Sequence, residues 1–479
     1  MFSPGFAAFL TAALLAAAPV PDTQWTRFRG PNGSGVADAK NLPVEFGPSR
    51  NLVWKTEILP GYSSPALTEK QIFVTAHKDK KKLYTICLDR KTGQILWQHE
   101  AGENPNKPLS VNTPVSPTPV TDGVNAYVFF EHAGLISYSP DGKERWRAKL
   151  GPFQSPYGLG ASPILINDKV ILQIDHDNGS FLVAFRAKDG KQLWRTPRNE
   201  FTHGFSTPVV YKPKKGPAQI VTSGSFKLAG YSAADGELLW WLDGMAWQAK
   251  STPLIDGDTL YVHSWMAGLT DLGHKPVTET WPQILEKADA NKDSKLQKEE
   301  LPDPSMAKYL FLFDLDGDGT LGERDWNNVL ARNNAKNGLY AIKLGEKAKG
   351  DIKANILWRY DKSLPNIPSP VLYNGALFIL KEGGILTALN PQTGEVVKQG
   401  RIEGAVDPYF ASPVAADGKL YTASAPGNIA VLKAAPQWEL LAVNKLDEET
   451  WATPAIAGQN IYVRTQKSLY CFGVSQPAP

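Results

Sequence analysis

CLDRKTGQILW, residues Cys87 to Trp97, decides the fold, because weaker copies of it recur along the chain. A strand ending at Asp89 enters a tight turn through Lys91, Thr92 and Gly93, where glycine accepts positive φ, and the next strand delivers Trp97. The copies are AFRAKDGKQLW (Ala184 to Trp194), GYSAADGELLW (Gly230 to Trp240), the shorter YSPDGKERW ending at Trp146, and ALNPQTGEVV (Ala388 to Val397), which lacks the Trp. Trp54 and Trp358 fill the same slot without a clean turn.

A second signal runs in step: Ser or Thr, then Pro, then an apolar pair. Its prolines are Pro65, Pro119, Pro163, Pro208, Pro253, Pro370, Pro413 and Pro454, spaced by 41 to 54 residues apart from one interval of 117. Between each proline and its turn lies a β-rich run such as QIFVTAH, KVILQIDH or NIYVRT, so each unit reads as four short antiparallel strands. A period in the forties with four strands predicts a propeller, here all-β with eight blades.

The net charge of +3 gives no reason to expect nucleic acid. Phe6 to Ala18 is apolar, too short to span a bilayer and followed by Pro19 and Pro21, so residues 1–20 read as a secretory signal peptide and the mature chain as periplasmic or secreted, with no transmembrane segment. Residues 21–49 read as an extension draped across the body, 50–267 and 338–474 as the propeller, 268–337 as an insertion and 475–479 as a tail. The last repeat, from Thr453 to Val474, supplies only three strands; Asn51 to Ile58 is expected to be the fourth, closing the ring and removing an open sheet edge.

Cys87, Asp89, Thr92, Gly93 and Trp97 meet the tryptophan-docking pattern A-x-D-x-x-T-G-x-x-x-W with Cys in place of Ala, and the chain resembles the pyrroloquinoline-quinone-type eight-bladed propellers over roughly residues 50–474. That superfamily includes quinoprotein alcohol dehydrogenases and the outer-membrane-assembly factor B family. The resemblance implies a fold and leaves the function open, because the motif builds blades and carries no chemistry. Cys87 and Cys471 both take the small first position of the motif, which Ala184, Ala341 and Ala388 fill elsewhere, and so read as buried small residues. The adjacent Cys pair that many quinoprotein alcohol dehydrogenases carry is not in this chain.

The long interval holds two calcium-loop patterns. Asp289, Asn291, Asp293 and Glu300 take positions 1, 3, 5 and 12 of the first, and Asp314, Asp316, Asp318 and Asp325 those of the second. Position 7 offers a backbone carbonyl, from Lys295 and Thr320, and Leu296 and Leu321 take the apolar position 8. Alternate oxygens in such a loop wrap one hard cation, so an EF-hand pair binding calcium is expected. Ser294 stands where glycine makes the sharp turn, and Asp325 is shorter than the usual Glu, which weakens selectivity over magnesium. Helices are expected after the Thr280/Gln283 capping box, through MAKYLFLF after Pro304, and through DWNNVLA.

Segments joining one blade to the next should line one face of the ring: Tyr62, Asn112, Tyr157, His203, Phe205, Trp247, Gln248, Lys250, Asp407, Tyr409 and Trp451. His132 and His176 occupy equivalent loops of blades two and three, so His132, His176, His203, Trp247 and Asp407 are the candidate funnel residues for a metal or cofactor. Two functions compete. One is a monomeric, exported, calcium-binding scaffold that takes a protein or small ligand at the propeller face. The other is an oxidoreductase in which Trp247 stacks on pyrroloquinoline quinone and Asp407 is the base.

Overall fold

The computed structural model describes residues 24–105, 112–267, 277–345 and 348–474. The signal-peptide segment, the 475–479 tail and the first residues of the insertion lie outside them. Among the described residues are eight sheets, one per blade, antiparallel apart from one added strand, and no helix long and apolar enough to cross a membrane.

Each repeat proline directly precedes the innermost strand of a blade, from Ala66–Leu67 in blade one to Ala455–Ala457 in blade eight. Proline lacks an N–H, so it sits where the ladder starts. The hydroxyl before it has a structural purpose. Ser64 N donates to Thr118 Oγ1 at 2.9 Å, Thr118 N to Ser162 Oγ at 2.9 Å and Ser162 N to Thr207 Oγ1 at 3.0 Å. Thr252, Ser369, Ser412 and Thr453 continue the pattern, each bond at 3.0 Å. At six of the eight junctions blade is tied to blade by the residues that make the sequence repeat.

Strand β1 (Leu52–Glu57) pairs antiparallel with Ser468–Gly473 and completes blade eight. Trp54 stands opposite Cys471 as Trp97 stands opposite Cys87 and Trp194 opposite Ala184. Both cysteines are buried and free. Trp54, Trp97, Trp146, Trp194 and Trp358 each lie on the turn glycine of the next blade: a Cβ on Gly93 (φ +76°) would come within 2.5 Å of the Trp54 ring, and one on Gly190 within 2.6 Å of Trp146; Trp240 packs instead on Gly230 of its own blade. Trp97 Nε1 donates to Pro140 O at 2.9 Å and Trp358 Nε1 to Pro391 O at 3.0 Å, so ring and turn are joined twice. The anchors are unequal, though. Trp240 is fully buried, with Nε1 on Gln219 Oε1 at 2.7 Å, whereas Trp97 and Trp194 are half-buried.

Blade four departs from four strands. Blade five has no tight turn before Trp358; its connection reaches back instead and lays Gly350–Asp351 parallel to Leu238–Asp243 as a fifth strand.

The extension from residue 24 crosses one mouth of the channel. Trp25 exchanges backbone hydrogen bonds with Leu67 of blade one, and Thr121 N of blade two donates to Thr26 O at 2.8 Å. The Arg27 guanidinium reaches Pro208 O of blade four at 2.6 Å; Arg29 reaches Pro370 O of blade six at 2.6 Å and Pro413 O of blade seven at 3.4 Å. Ala37 then pairs with Ala415 and Phe46 N with Asn444 Oδ1, both in blade seven. This stretch is a plug, and Phe28 faces inward between the two arginines.

The insertion leaves blade five after Ser264 and returns at Gly338. It contains α1 (Trp281–Ala288), a short α2 (Pro304–Ala307) and α3 (Glu323–Asn334) around a core of Ile284, Leu310, Phe313, Trp326 and Val329. The helix expected through MAKYLFLF breaks after Ala307, and Leu310–Leu312 forms a single 3-10 turn. The break serves two cores: Leu310 and Phe313 face the insertion, while Leu312 packs on Trp247 and Met266 of the propeller.

Candidate functional site

Opposite the plug the channel opens into a cup of about 450 Å³. Counting back three residues from each repeat proline gives Tyr62, Ser116, Gly160, Phe205, Lys250, Ile367, Phe410 and Trp451, and all eight line the cup. The hydroxyl residue before the proline lines it as well in blades one to four and eight. Extended backbone explains this, since side chains two apart share a face. Trp451 stacks with Tyr62 (centroids 4.4 Å, 15°) and with Phe410 (4.0 Å, 24°), making a flat wall, and Phe28 forms the floor.

Lys250 is the single ammonium or guanidinium in the described lining, which contains no carboxylate. Its Nζ donates to Asn366 Oδ1 at 2.8 Å, and burial pushes the amine down to about 8 against the weaker pull of Glu382. Arg27 and Arg29 beneath the floor spend their hydrogen bonds on carbonyls, and burial pushes both down to about 9.

The five funnel candidates lie outside the lining. His203 is fully buried, with Nδ1 2.6 Å from Asp177 Oδ1 and its ring edge-on to Trp247. Trp247 donates Nε1 to Thr202 Oγ1 at 3.0 Å, and the Arg332 guanidinium of α3 covers its ring at 3.2 Å. Asp407 accepts from Ser424 Oγ at 2.7 Å and Asn428 Nδ2 at 2.8 Å. His176 packs edge-on to Phe153, and His132 lies beside Glu131. The histidines are distributed among separate loop anchors and do not converge. Residues five or six before a proline lie in the folded loop, from which Tyr157 and Gln248 still reach the cup while His203, Trp247 and Asp407 turn into protein.

The two loops of the insertion face each other. Leu296 and Leu321 exchange backbone hydrogen bonds at 3.0 and 2.9 Å, forming a two-residue antiparallel bridge. Both loops wrap their first acid alike: Asp289 accepts from the amides of Asp293 and Ser294, and Asp314 from those of Gly317, Asp318 and Gly319. Ser294 takes φ +63° and Gly319 φ +86° at the sharp turn. The position-12 acids brace the loops from within: Glu300 accepts from Ala290 and Gln297, and buried Asp325 from Leu315 and Gly322.

In loop two the ligand atoms of Asp314, Asp316 and Asp318 lie within 4.8 Å of one another. Burial, with the neighbouring Asp316 carboxylate, raises Asp314 above its usual range; the Lys295 ammonium paired with Asp318 holds that carboxyl down to about 2. In loop one the amides of Asn291 and Gln297 donate to Asp293, so fewer charges are collected there. Thr320 Oγ1 donates to Asp318, which leaves its carbonyl as the group loop two offers at position 7.

A family model described as outer membrane protein assembly factor BamB matches residues 47–179, 177–296 and 318–476. The outer membrane protein assembly factor BamB of Yersinia pestis is 23% identical over 409 residues, covering 80% of this chain and 88% of that protein. The quinoprotein alcohol dehydrogenase PedH of Pseudomonas putida is 27% identical over 208 residues, which is 38% of this chain and 32% of the dehydrogenase, so the match spans about a third of that relative. Among solved structures, BamB from Moraxella catarrhalis superposes with a TM-score of 0.55 at 12% identity, covering 89% of this chain and 99% of that one. The quinohemoprotein alcohol dehydrogenase ADHIIG from Pseudomonas putida HK5 gives 0.56 at 11%, covering 96% and 82%. These two structural likenesses are likenesses of fold.

Proposed function

Because the chain belongs to the outer membrane protein assembly factor BamB family of eight-bladed propellers, we propose that it is an exported binding or scaffold protein of the cell envelope, periplasmic or secreted, whose insertion is a calcium-binding EF-hand pair. The observation that carries the metal reading is the pairing of the loops through Leu296 and Leu321, with three carboxylates of loop two gathered at one point. Oxygens at alternate residues and a backbone carbonyl at position 7 suit a hard cation. Such carboxylates repel one another until a cation neutralises them.

Calcium titration by calorimetry tests this. Wild type is expected to take up calcium more tightly at loop two than at loop one, and Asp314→Ala to abolish the tighter event. Absence of saturable uptake at millimolar calcium would remove the metal from the reading. Magnesium should compete more strongly than at a site closed by Glu, because Asp325 is short and already braces two amides.

The quinone reading draws on the partial likeness to the alcohol dehydrogenase, but the residues assigned to it do not fit. Trp247 has Arg332 over its face, and Asp407 spends an oxygen on Ser424 and Asn428. Adding pyrroloquinoline quinone and calcium should therefore give no dye-linked alcohol oxidation; turnover would restore the dehydrogenase.

A further inference from the structure

We propose that the cup binds a small aromatic monocarboxylate, its ring against the Trp451–Tyr62–Phe410 wall and its carboxylate on Lys250. This deepens the reading of the chain as a binding propeller and rests on it, but it does not depend on the insertion's metal.

Three observations converge. The first is charge. Lys250 Nζ is engaged by one neutral oxygen, that of Asn366, and the described lining around it contains no carboxylate. An ammonium carries three donors, so two remain for a ligand. Glu382 acts on it through charge but accepts the Asn366 N–H at 3.2 Å instead of pairing. Arg27 and Arg29 lie under the floor, bonded to carbonyls, and add positive potential, with no ion pair to either among the described residues. A partly buried cation without a paired counter-ion is costly, and an anion relieves that cost.

The second is shape. The wall of three stacked rings and the Phe28 floor offer apolar faces, and about 450 Å³ is room for a fused two-ring compound. The third is stoichiometry. One lining ammonium matches one carboxylate, and a polycarboxylate such as pyrroloquinoline quinone would leave its further charges facing aromatic rings and hydroxyls.

The test uses the full chain with 1-naphthoate and its uncharged counterpart 1-naphthamide, followed by calorimetry and tryptophan fluorescence. Naphthoate is expected to bind at one site per chain, about tenfold or more tighter than naphthamide, the preference a charged hydrogen bond supplies. Lys250→Gln should erase that preference while retaining the melting temperature.

Should that variant not fold, a pH series on wild type decides. The lysine loses its proton as pH rises through about 8, so naphthoate affinity must fall there while naphthamide affinity stays level. Of the other groups around the cup, His263, pushed down to about 4 by burial, is neutral throughout, and Tyr62 and Tyr157 are raised by burial and stay neutral; Arg27 and Arg29, pushed down to about 9, lose charge at higher pH, so the fall is read below the range in which they titrate.

Equal affinity for the two probes, a pH-independent naphthoate affinity, or no saturable binding of either would overturn the proposal. Tighter binding of pyrroloquinoline quinone than of naphthoate would overturn it in favour of a polyanion. Calcium uptake measured on the same sample separates a failed cup from a failed calcium-binding scaffold.

Discussion

A chain lacking residues 21–58 is expected to lose its cooperative melting as a monomer and to aggregate. The deletion removes β1, so blade eight keeps three strands and Ser468–Gly473 becomes an open edge, ready to pair with another chain. It also removes the plug: Trp25, Leu42, Phe46 and Trp54 are buried, and Arg29 bonds to both blades six and seven. Trp54→Ala separates the contributions, since it keeps the ladder and loses the ring that lies on Gly93 and donates to Arg90 O at 3.2 Å. It should lower the melting temperature and leave the protein monomeric. A deletion variant with unchanged melting and mass would mean that the ring closes without its first strand.

The second large effect is at Trp240. Trp240→Ala should cost about 3–5 kcal/mol, the range for emptying a fully buried large aromatic site, and should also leave the Gln219 amide oxygen unpaired in the interior. The same change at Trp97 or Trp194 should cost less, roughly 1–2 kcal/mol, because each ring is already partly in water. Urea unfolding of the three variants measures the order directly. Equal losses at all three would show that burial does not set the value of the anchor.

These contrasts mark how far the amino-acid sequence could be read. Blade number and blade boundaries were legible because each is a repeated solution to one packing problem (a hydroxyl bridging to the next blade, a proline opening a strand, a Trp lying on a glycine), and the ring closure was legible because the last repeat lacks its fourth strand. What happens once was not legible. Nothing in WTRFRGPNG distinguishes a plug from a surface loop; only the folded ring brings the carbonyls of Pro208, Pro370 and Pro413 to Arg27 and Arg29.

The cup was half visible. Tyr62, Phe205, Lys250 and Trp451 belong to the segments expected to line it, whereas the candidate His203 is an interior partner of Asp177. The position three residues before each proline carried the answer in all eight blades, and a period-two reading of those approach strands would have found it. The helix through MAKYLFLF failed for a related reason: periodicity within the insertion could not foresee that Leu312 would be claimed by the propeller.

The insertion is thus tied to the ring through Leu312 and through Arg332 lying on Trp247, and the claim that calcium orders it is tested most directly by hydrogen exchange with and without chelator. Protection is expected to fall across residues 280–333 when the cation is removed, to stay high in the blade strands, and to be low in the insertion of an Asp289→Ala, Asp314→Ala double variant whether or not calcium is present. If that double variant takes up calcium as wild type does and keeps the same exchange pattern, the two loops are acidic turns and the calcium-binding account is wrong.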